Sequence, residues 1–394
     1  MSCEFGSTLL GDRTLLTQSG PFGYAPSPAP SLGSQACVKV AALTAGFGLG
    51  AQAQELTDVL MAMLGAHAGR GLDLPPAWPS DICDDHGPFE FSVAMTRRSC
   101  SLRVLVETGA PTGALGERQR SAEATTELLA ARYGVPLTGL TSIAELFGGE
   151  HADQFARWHA VGFEHGRPVN VKVYLNPQAR GRDRAPMVVR EALQRLGFAD
   201  AWDELAPALA RGEADELKYV GLDLTADPGA RVKVYVRHHA ISGNELETAL
   251  SQCRGYRKDE AREFCELMTQ RAGRYDALPI ITCYAWTSQA RGCASTLHVP
   301  IRAYAPDDLV AYERILGYLQ QQGIDSAGYA RALPAFAMRP LDAGVGIQSY
   351  ASIKGTADGN AVTVYLVPES YSVQPSRARD TRVTPTSSRE IEHP

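Results

Sequence analysis

The tripeptide Lys-Val-Tyr stands at 172–174 within NVKVYLNP (170–177) and returns 61 residues later, at 233–235 within RVKVYVRH (231–238). Both copies alternate in polarity with period two, the signature of a strand that sends successive side chains to opposite faces. One face is purely aliphatic: Val171, Val173 and Leu175 in the first copy, Val232, Val234 and Val236 in the second. Burying such side chains contributes about 1.5–3 kcal/mol each, so this face demands an apolar cover. The opposite face sets Lys172, Tyr174 and Asn176 in one copy and Arg231, Lys233, Tyr235 and Arg237 in the other. One such strand reads as facing bulk water. Two that match, with Arg103, His298 and Tyr365 in similar phase on other strands, point to a shared enclosed space.

The cover is present in the sequence. QELTDVLMAMLGAHAG (54–69) places Leu56, Val59, Leu60, Met63 and Leu64 on one helical face, and two alternating segments follow, 88–95 and 101–108. The same round recurs with a helix near 120–133 closed by Gly134, then segments 158–163 and 170–177. It recurs with a helix over 185–197 before 219–225 and 231–238, and with a helical stretch over 244–272 before 279–287 and 295–304. A helix near 306–323 precedes 346–355 and 361–371, joined by TADGN. Helical matter and strand pairs thus alternate about five times, which differs from the strand–helix–strand order of a parallel sheet. Short links favour antiparallel pairs, and about ten such strands can close into a barrel without exposed edges. The fold class is α+β within the broader α/β group, a ten-stranded antiparallel barrel ringed by helices. It is expected as a single domain over 35–371, with a Pro/Gly/Ser-rich arm at 1–34 and a disordered tail at 372–394.

Several function classes fall away. A net charge of −6 argues against a general nucleic-acid binder. No apolar run reaches eighteen residues, so no membrane partner is expected. The N-terminus lacks the basic start and apolar core of a secretory signal, and the eight cysteines show no C-x-x-C pair. They read as reduced thiols of a cytoplasmic protein, with no structural metal site. GFGLGA (46–51) lacks the preceding strand that a dinucleotide loop requires, and His238-His239 has no second pair of metal ligands in view.

A lumen lined by cations and phenols suits an anionic ligand, most simply a diphosphate, since Arg offers forked donors and Lys a point charge. Aromatic faces attract a cation by about 0.5–2 kcal/mol per contact. An allylic diphosphate presents both needs: once it ionises, the anion stays with the Arg/Lys set and the carbocation with the rings.

PFEFS (88–92), LRVLVE (102–107), VKVYLNP (171–177), RVKVYV (231–236), TLHVP (296–300) and VTVYLVPESY (362–371), in this order and spacing, resemble the indole prenyltransferases of the dimethylallyltryptophan synthase type, the bacterial members most closely. The resemblance covers about 35–371 and implies the ABBA prenyltransferase barrel, with the active site enclosed by the strands. It implies a metal-independent transfer of a dimethylallyl group from dimethylallyl diphosphate, the co-substrate, to the indole of tryptophan or a tryptophan-derived metabolite; no cofactor is required. Carried over by position, Arg103, Lys172, Arg231 and Lys233 bind the diphosphate. Tyr174, Tyr235, Tyr350 and Tyr365 shield the cation, and Glu90 accepts the indole N–H. Ile82 falls where backbone contacts hold the amino-acid end of the acceptor. Two departures stand out. The lysine base of fungal C4-prenylating members is replaced by Trp158, with His159 beside it, and His298 takes the place of a shield tyrosine. In that place His298 has to be neutral when the cation forms, and Glu90 has to be ionised to accept without competing as a donor. The partners are small-molecule substrates, with the protein itself a monomer or homodimer. Other readings of the same barrel remain open: another acceptor (a cyclic dipeptide, an indolactam, tyrosine or a hydroxynaphthalene), a geranyl donor, or a barrel that binds a ligand without catalysis.

Overall fold

The computed structural model describes residues 30–110, 113–149 and 155–377. Ten strands form a closed antiparallel barrel. We number them β1 (Phe89–Met95), β2 (Cys100–Glu107), β3 (Trp158–Glu164), β4 (Asn170–Leu175), β5 (Asp215–Leu224), β6 (Val232–His238), β7 (Ile280–Thr287), β8 (Ala290–Val299), β9 (Gln348–Thr356) and β10 (Gly359–Leu366). Each strand pairs with the next in sequence, and β1 closes on β10 with Phe91 opposite Leu366 and Ser92 opposite Tyr365. Ten strands enclose a lumen wider than side chains alone can fill.

The aliphatic faces do point outward. Val171, Val173, Val232, Val234 and Val236 belong to one continuous core between the barrel and its helices. The longer helices are α1 (Leu32–Gly46), α2 (Ala53–Leu64), α3 (Leu115–Tyr133), α4 (Ala185–Arg195), α5 (Gly243–Leu250), α6 (Glu260–Thr269), α7 (Asp308–Gln321) and α8 (Ala327–Phe336). The apolar face expected of α2, from Leu56 to Leu64, is entirely buried. Gly134 ends α3 with φ of 62°, a left-handed cap that glycine adopts without strain. His238 sits on the outer face of β6, fully buried, with Nδ1 2.7 Å from Asp215 and Nε2 2.7 Å from Thr282. It braces the wall and is turned away from the lumen.

The edges of the folded part differ from the expected 35–371. The first helix begins at Leu32, inside the stretch read as an arm, because Ser31 and Ser34 form a reciprocal capping box. At the other end Gln374–Pro375 pairs with Gly344–Val345, so ordered chain runs past 371. The expectations for 1–29 and 378–394 lie outside the described residues. Helices α1 and α8 were not expected. They touch where Gly46 meets Ala332 so closely that a Cβ on Gly46 would lie 2.4 Å from the alanine Cβ.

The twin strands are not neighbours. β5 lies between β4 and β6, pairing Lys172 with Asp223 on one side and Gly221 with Lys233 on the other. Asn176 also departs from expectation: it lies just past β4, where its Oδ1 accepts the Gln178 N–H at 2.9 Å and caps a turn instead of facing the lumen.

Candidate active site

Inward positions along the strands change character from one end of the barrel to the other. Towards the hairpin turns lies a cavity of about 670 Å³ lined by Arg103, Lys172, Arg231, Lys233 and Lys354. Towards the opposite end lies one of about 430 Å³ lined by Glu90, Leu105, Trp158, Tyr174, Tyr219, Arg237 and Tyr350. Tyr235, His298 and Tyr365 line both and form the waist between them. The alternation explains the gradient: β4 carries Tyr174 then Lys172, β6 carries Arg237, Tyr235 and Lys233, and β9 carries Tyr350 then Lys354.

At the cationic end Lys172 and Lys233 are buried, 4% and 8% exposed. Asp223 stands among them: Lys172 Nζ and Lys233 Nζ donate to its Oδ1 at 3.1 and 3.3 Å, and Arg231 Nε donates to its Oδ2 at 2.6 Å. Lys172 Nζ also donates to Asn170 Oδ1. Burial pushes the Lys172 ammonium well below the ordinary lysine range, and Lys233 beside it acts in the same direction. Burial brings Lys233 to about 8 against the pull of Asp223. Burial opposes ionisation of Asp223 as well, but Lys233, Lys172 and Arg231 outweigh it and hold the carboxyl well below its usual range.

Rings fill the waist and the far end in a connected series. Phe155 to Trp158 is 4.3 Å between centroids, Trp158 to Tyr219 5.0 Å, Tyr219 to Tyr235 5.8 Å and Tyr235 to Tyr174 6.0 Å. Further round the wall, past β7, Tyr235 lies 6.0 Å from His298, which lies 5.7 Å from Tyr365. Burial drives His298 down to about 4, so its ring is neutral at neutral pH. Its Nε2 sits 3.1 Å from the Tyr365 hydroxyl.

Glu90 projects from β1 into the aromatic end, where burial raises its carboxyl to about 8 despite Arg302 and Arg103. The ionised state that an N–H acceptor needs is therefore the minor one at neutral pH when nothing donates to Glu90. Ile82 lies on the loop that closes this end, and that loop is tied down on several sides. Ser80 Oγ donates to the buried Glu107 at 2.8 Å, and Glu107 in turn pairs with Arg118. Asp81 meets Lys218 at 2.9 Å and Arg237 at 3.8 Å. Asp84 takes two bonds from Arg302, at 2.5 and 2.9 Å, and the Arg302 guanidinium lies 4.6 Å over the Tyr350 ring.

Every expected site residue thus lines one of the two cavities. Tyr174 and Tyr350 line the aromatic cavity alone, with the Arg302 guanidinium over the Tyr350 ring. Sequence reasoning missed Asp223, Lys354, Tyr219, Phe155 and Arg302. Lys354 carried a usable signal, since it keeps inward phase with Tyr350 on β9, whereas no residue of β5 had been singled out to mark the face of Tyr219. Arg302 lies beyond the end of β8, where alternation no longer applies.

A closed ten-stranded antiparallel barrel with cations at one end of its lumen and rings at the other defines an aromatic prenyltransferase. A profile of the family described as tryptophan dimethylallyltransferase matches residues 45–332. The chain belongs to the tryptophan dimethylallyltransferase family. It is similar to 6-dimethylallyltryptophan synthase from Micromonospora olivasterospora, solved in complex with DMASPP and Trp: 34% identity, TM-score 0.83, covering 88% of this chain and 100% of that one. The prenyltransferase PriB, solved with L-tryptophan and dimethylallyl thiolodiphosphate, is 36% identical with TM-score 0.82, over 89% of this chain and 99% of that one. The 5-dimethylallyltryptophan synthase from Streptomyces coelicolor is 30% identical with TM-score 0.81, over 88% and 100%. The reaction class is dimethylallyl transfer to the indole of tryptophan.

Proposed function

We propose that the chain transfers a dimethylallyl group from dimethylallyl diphosphate to the indole of free tryptophan by electrophilic aromatic substitution, without a metal ion. The single observation that carries this reading is the divided lumen, with a cationic cavity and an aromatic cavity meeting at Tyr235, His298 and Tyr365. The diphosphate sits among Arg103, Lys172, Arg231, Lys233 and Lys354. The allylic C–O bond breaks, and the electron pair leaves with diphosphate. Preorganised charges aimed at a developing anion are usually the largest catalytic contribution, and here side chains supply them. The allyl cation is left at the waist, where Tyr174, Tyr235, Tyr365 and neutral His298 stabilise it and exclude water.

The indole lies in the aromatic cavity with its N–H donated to Glu90, which fixes the ring over the cation. Ring π electrons form the new C–C bond, and the same carbon then passes its proton to the released diphosphate, the anion that the ionisation itself supplies, and the C–H pair restores the aromatic ring. Asp81, Asp84, Lys218, Arg237 and Arg302 crowd the far end beside the Ile82 backbone. This wall of both signs suits the ammonium and carboxylate of a free amino acid better than the neutral amides of a cyclic dipeptide. Incubation with dimethylallyl diphosphate, L-tryptophan and EDTA, read by mass spectrometry, tests the whole reading. A tryptophan gaining one C5 unit is expected. Turnover abolished by EDTA and restored by a divalent ion overturns the metal-free part, and adducts on other acceptors alone overturn the choice of tryptophan.

A further inference from the structure

The cations of the donor cavity converge on a carboxylate that the steps above do not use. Asp223 lies directly across from Lys172 on the neighbouring strand, its side chain 4% exposed, with both oxygens engaged by three cations. A buried carboxylate placed in an anion site is costly unless it acts on the cations themselves. We propose that Asp223 is the positioning residue of the donor site: it draws Lys172, Lys233 and Arg231 to one point between β4 and β6 and yields them to the diphosphate when the donor binds. The inference rests on the donor-cavity reading given above.

Two physical effects support it. The first is geometric. Lys172 and Lys233 sit on strands that β5 separates, and among the described residues Asp223 is the one acceptor that both ammonium groups share. The second is protonation. Burial and neighbouring cations, Lys233 beside Lys172 and Arg231 beside Lys233, strip charge from both lysines, while Asp223 is among the influences that keep it on. A diphosphate carries more negative charge than one carboxylate, so it displaces Asp223 as the partner of the same three groups. Asp223 touches no reacting atom and acts through the cations alone.

The test compares wild type, Asp223→Asn and Asp223→Glu as full-length proteins, measuring kcat/KM for dimethylallyl diphosphate from pH 6 to 10. In Asp223→Asn the lysines lose their protons at lower pH, and the alkaline fall in kcat/KM moves down by about 1–3 pH units, the shift an opposite charge at this range produces. Asp223→Glu retains the charge at a displaced position. It keeps the alkaline fall where wild type has it while raising the donor KM. Thermal melting with inorganic diphosphate supplies a readout free of turnover: Asp223→Asn gains more stability than wild type, because the anion replaces the missing counter-charge. An unchanged alkaline fall together with an equal diphosphate shift refutes the positioning role and leaves Asp223 a brace of the wall. If no variant, wild type included, prenylates tryptophan, the proposed function fails, while the diphosphate-melting comparison still decides the role of Asp223.

Discussion

Glu90 offers the sharpest handle on the acceptor half of the reaction. With its carboxyl at about 8, roughly a tenth of the protein carries it ionised at pH 7, and forming the ionised state there costs about 1.4 kcal/mol. If that form captures the indole N–H far better than the neutral carboxyl does, kcat/KM for L-tryptophan rises by up to about tenfold per pH unit from pH 6 and levels near pH 8. Glu90→Gln removes the titration but keeps a carbonyl oxygen that accepts the N–H, so its profile is flat over the same range. The variant should therefore approach or exceed wild type at pH 6 and fall behind it above pH 8. Glu90→Ala removes the acceptor altogether. A hydrogen bond to a charged group contributes about 1.5–3 kcal/mol, so the plateau drops about 10–150-fold with the donor KM unchanged. The assay is initial-rate kinetics at saturating dimethylallyl diphosphate, with product quantified by chromatography. A Glu90→Gln enzyme that keeps the wild-type rise refutes the assignment, because the titrating group then lies elsewhere.

Three further outcomes are expected. Lys172→Ala should lower kcat about 10²–10³-fold, the usual cost of removing one preorganised charge, while circular dichroism shows the fold intact; unchanged turnover removes Lys172 from the donor site. His298, at about 4 in the folded protein against 6.5 when unfolded, binds its proton more readily in the unfolded chain. Its stabilisation is thus fully present above pH 6.5 and lost as pH falls to 4, worth about 3 kcal/mol; urea titrations should show this loss flattened in His298→Gln. Gly46→Ala should destabilise by about 1–3 kcal/mol through overpacking against Ala332, and equal or raised stability in denaturant titration contradicts the close approach of α1 and α8.

Much of the barrel was legible because its strands obey one rule. Aliphatic residues on alternate positions needed helices outside, so the remaining residues of the K-V-Y strands had to face in, and Lys172, Tyr174, Lys233 and Tyr235 followed. What escaped sits where that rule lapses. β5 is the exception: its register shift between Leu217 and Tyr219 precedes YVGLDLT, which alternates cleanly, but its inward face of Tyr219, Gly221 and Asp223 holds no cation to match the K-V-Y strands. Asn176 shows the reverse error: period two was carried one residue beyond the strand, into a turn. Helix α1 is built largely of small residues with little polar contrast between faces, and α8 contains Pro334, which reads as a breaker. The proton affinity of Glu90 was not legible for a different reason: a motif specifies which group is present, while how readily it ionises depends on how thoroughly the closed barrel dries it.

The β1–β10 seam has a consequence for how this chemistry comes into being. Strand β1 carries Glu90 and waits for a partner that the chain supplies only with its last barrel hairpin, the one bearing Lys354 and Tyr365. Contacts so distant in sequence form slowly, and until they form the lumen is a gutter open to water, lacking one cation and one wall of rings. A reactive carbocation generated there would be hydrated at once. On the mechanism proposed above, the seam acts as an interlock: the same hairpin brings Lys354 to the donor cavity and Tyr365 to the waist, so one pairing completes both the making of the cation and its containment.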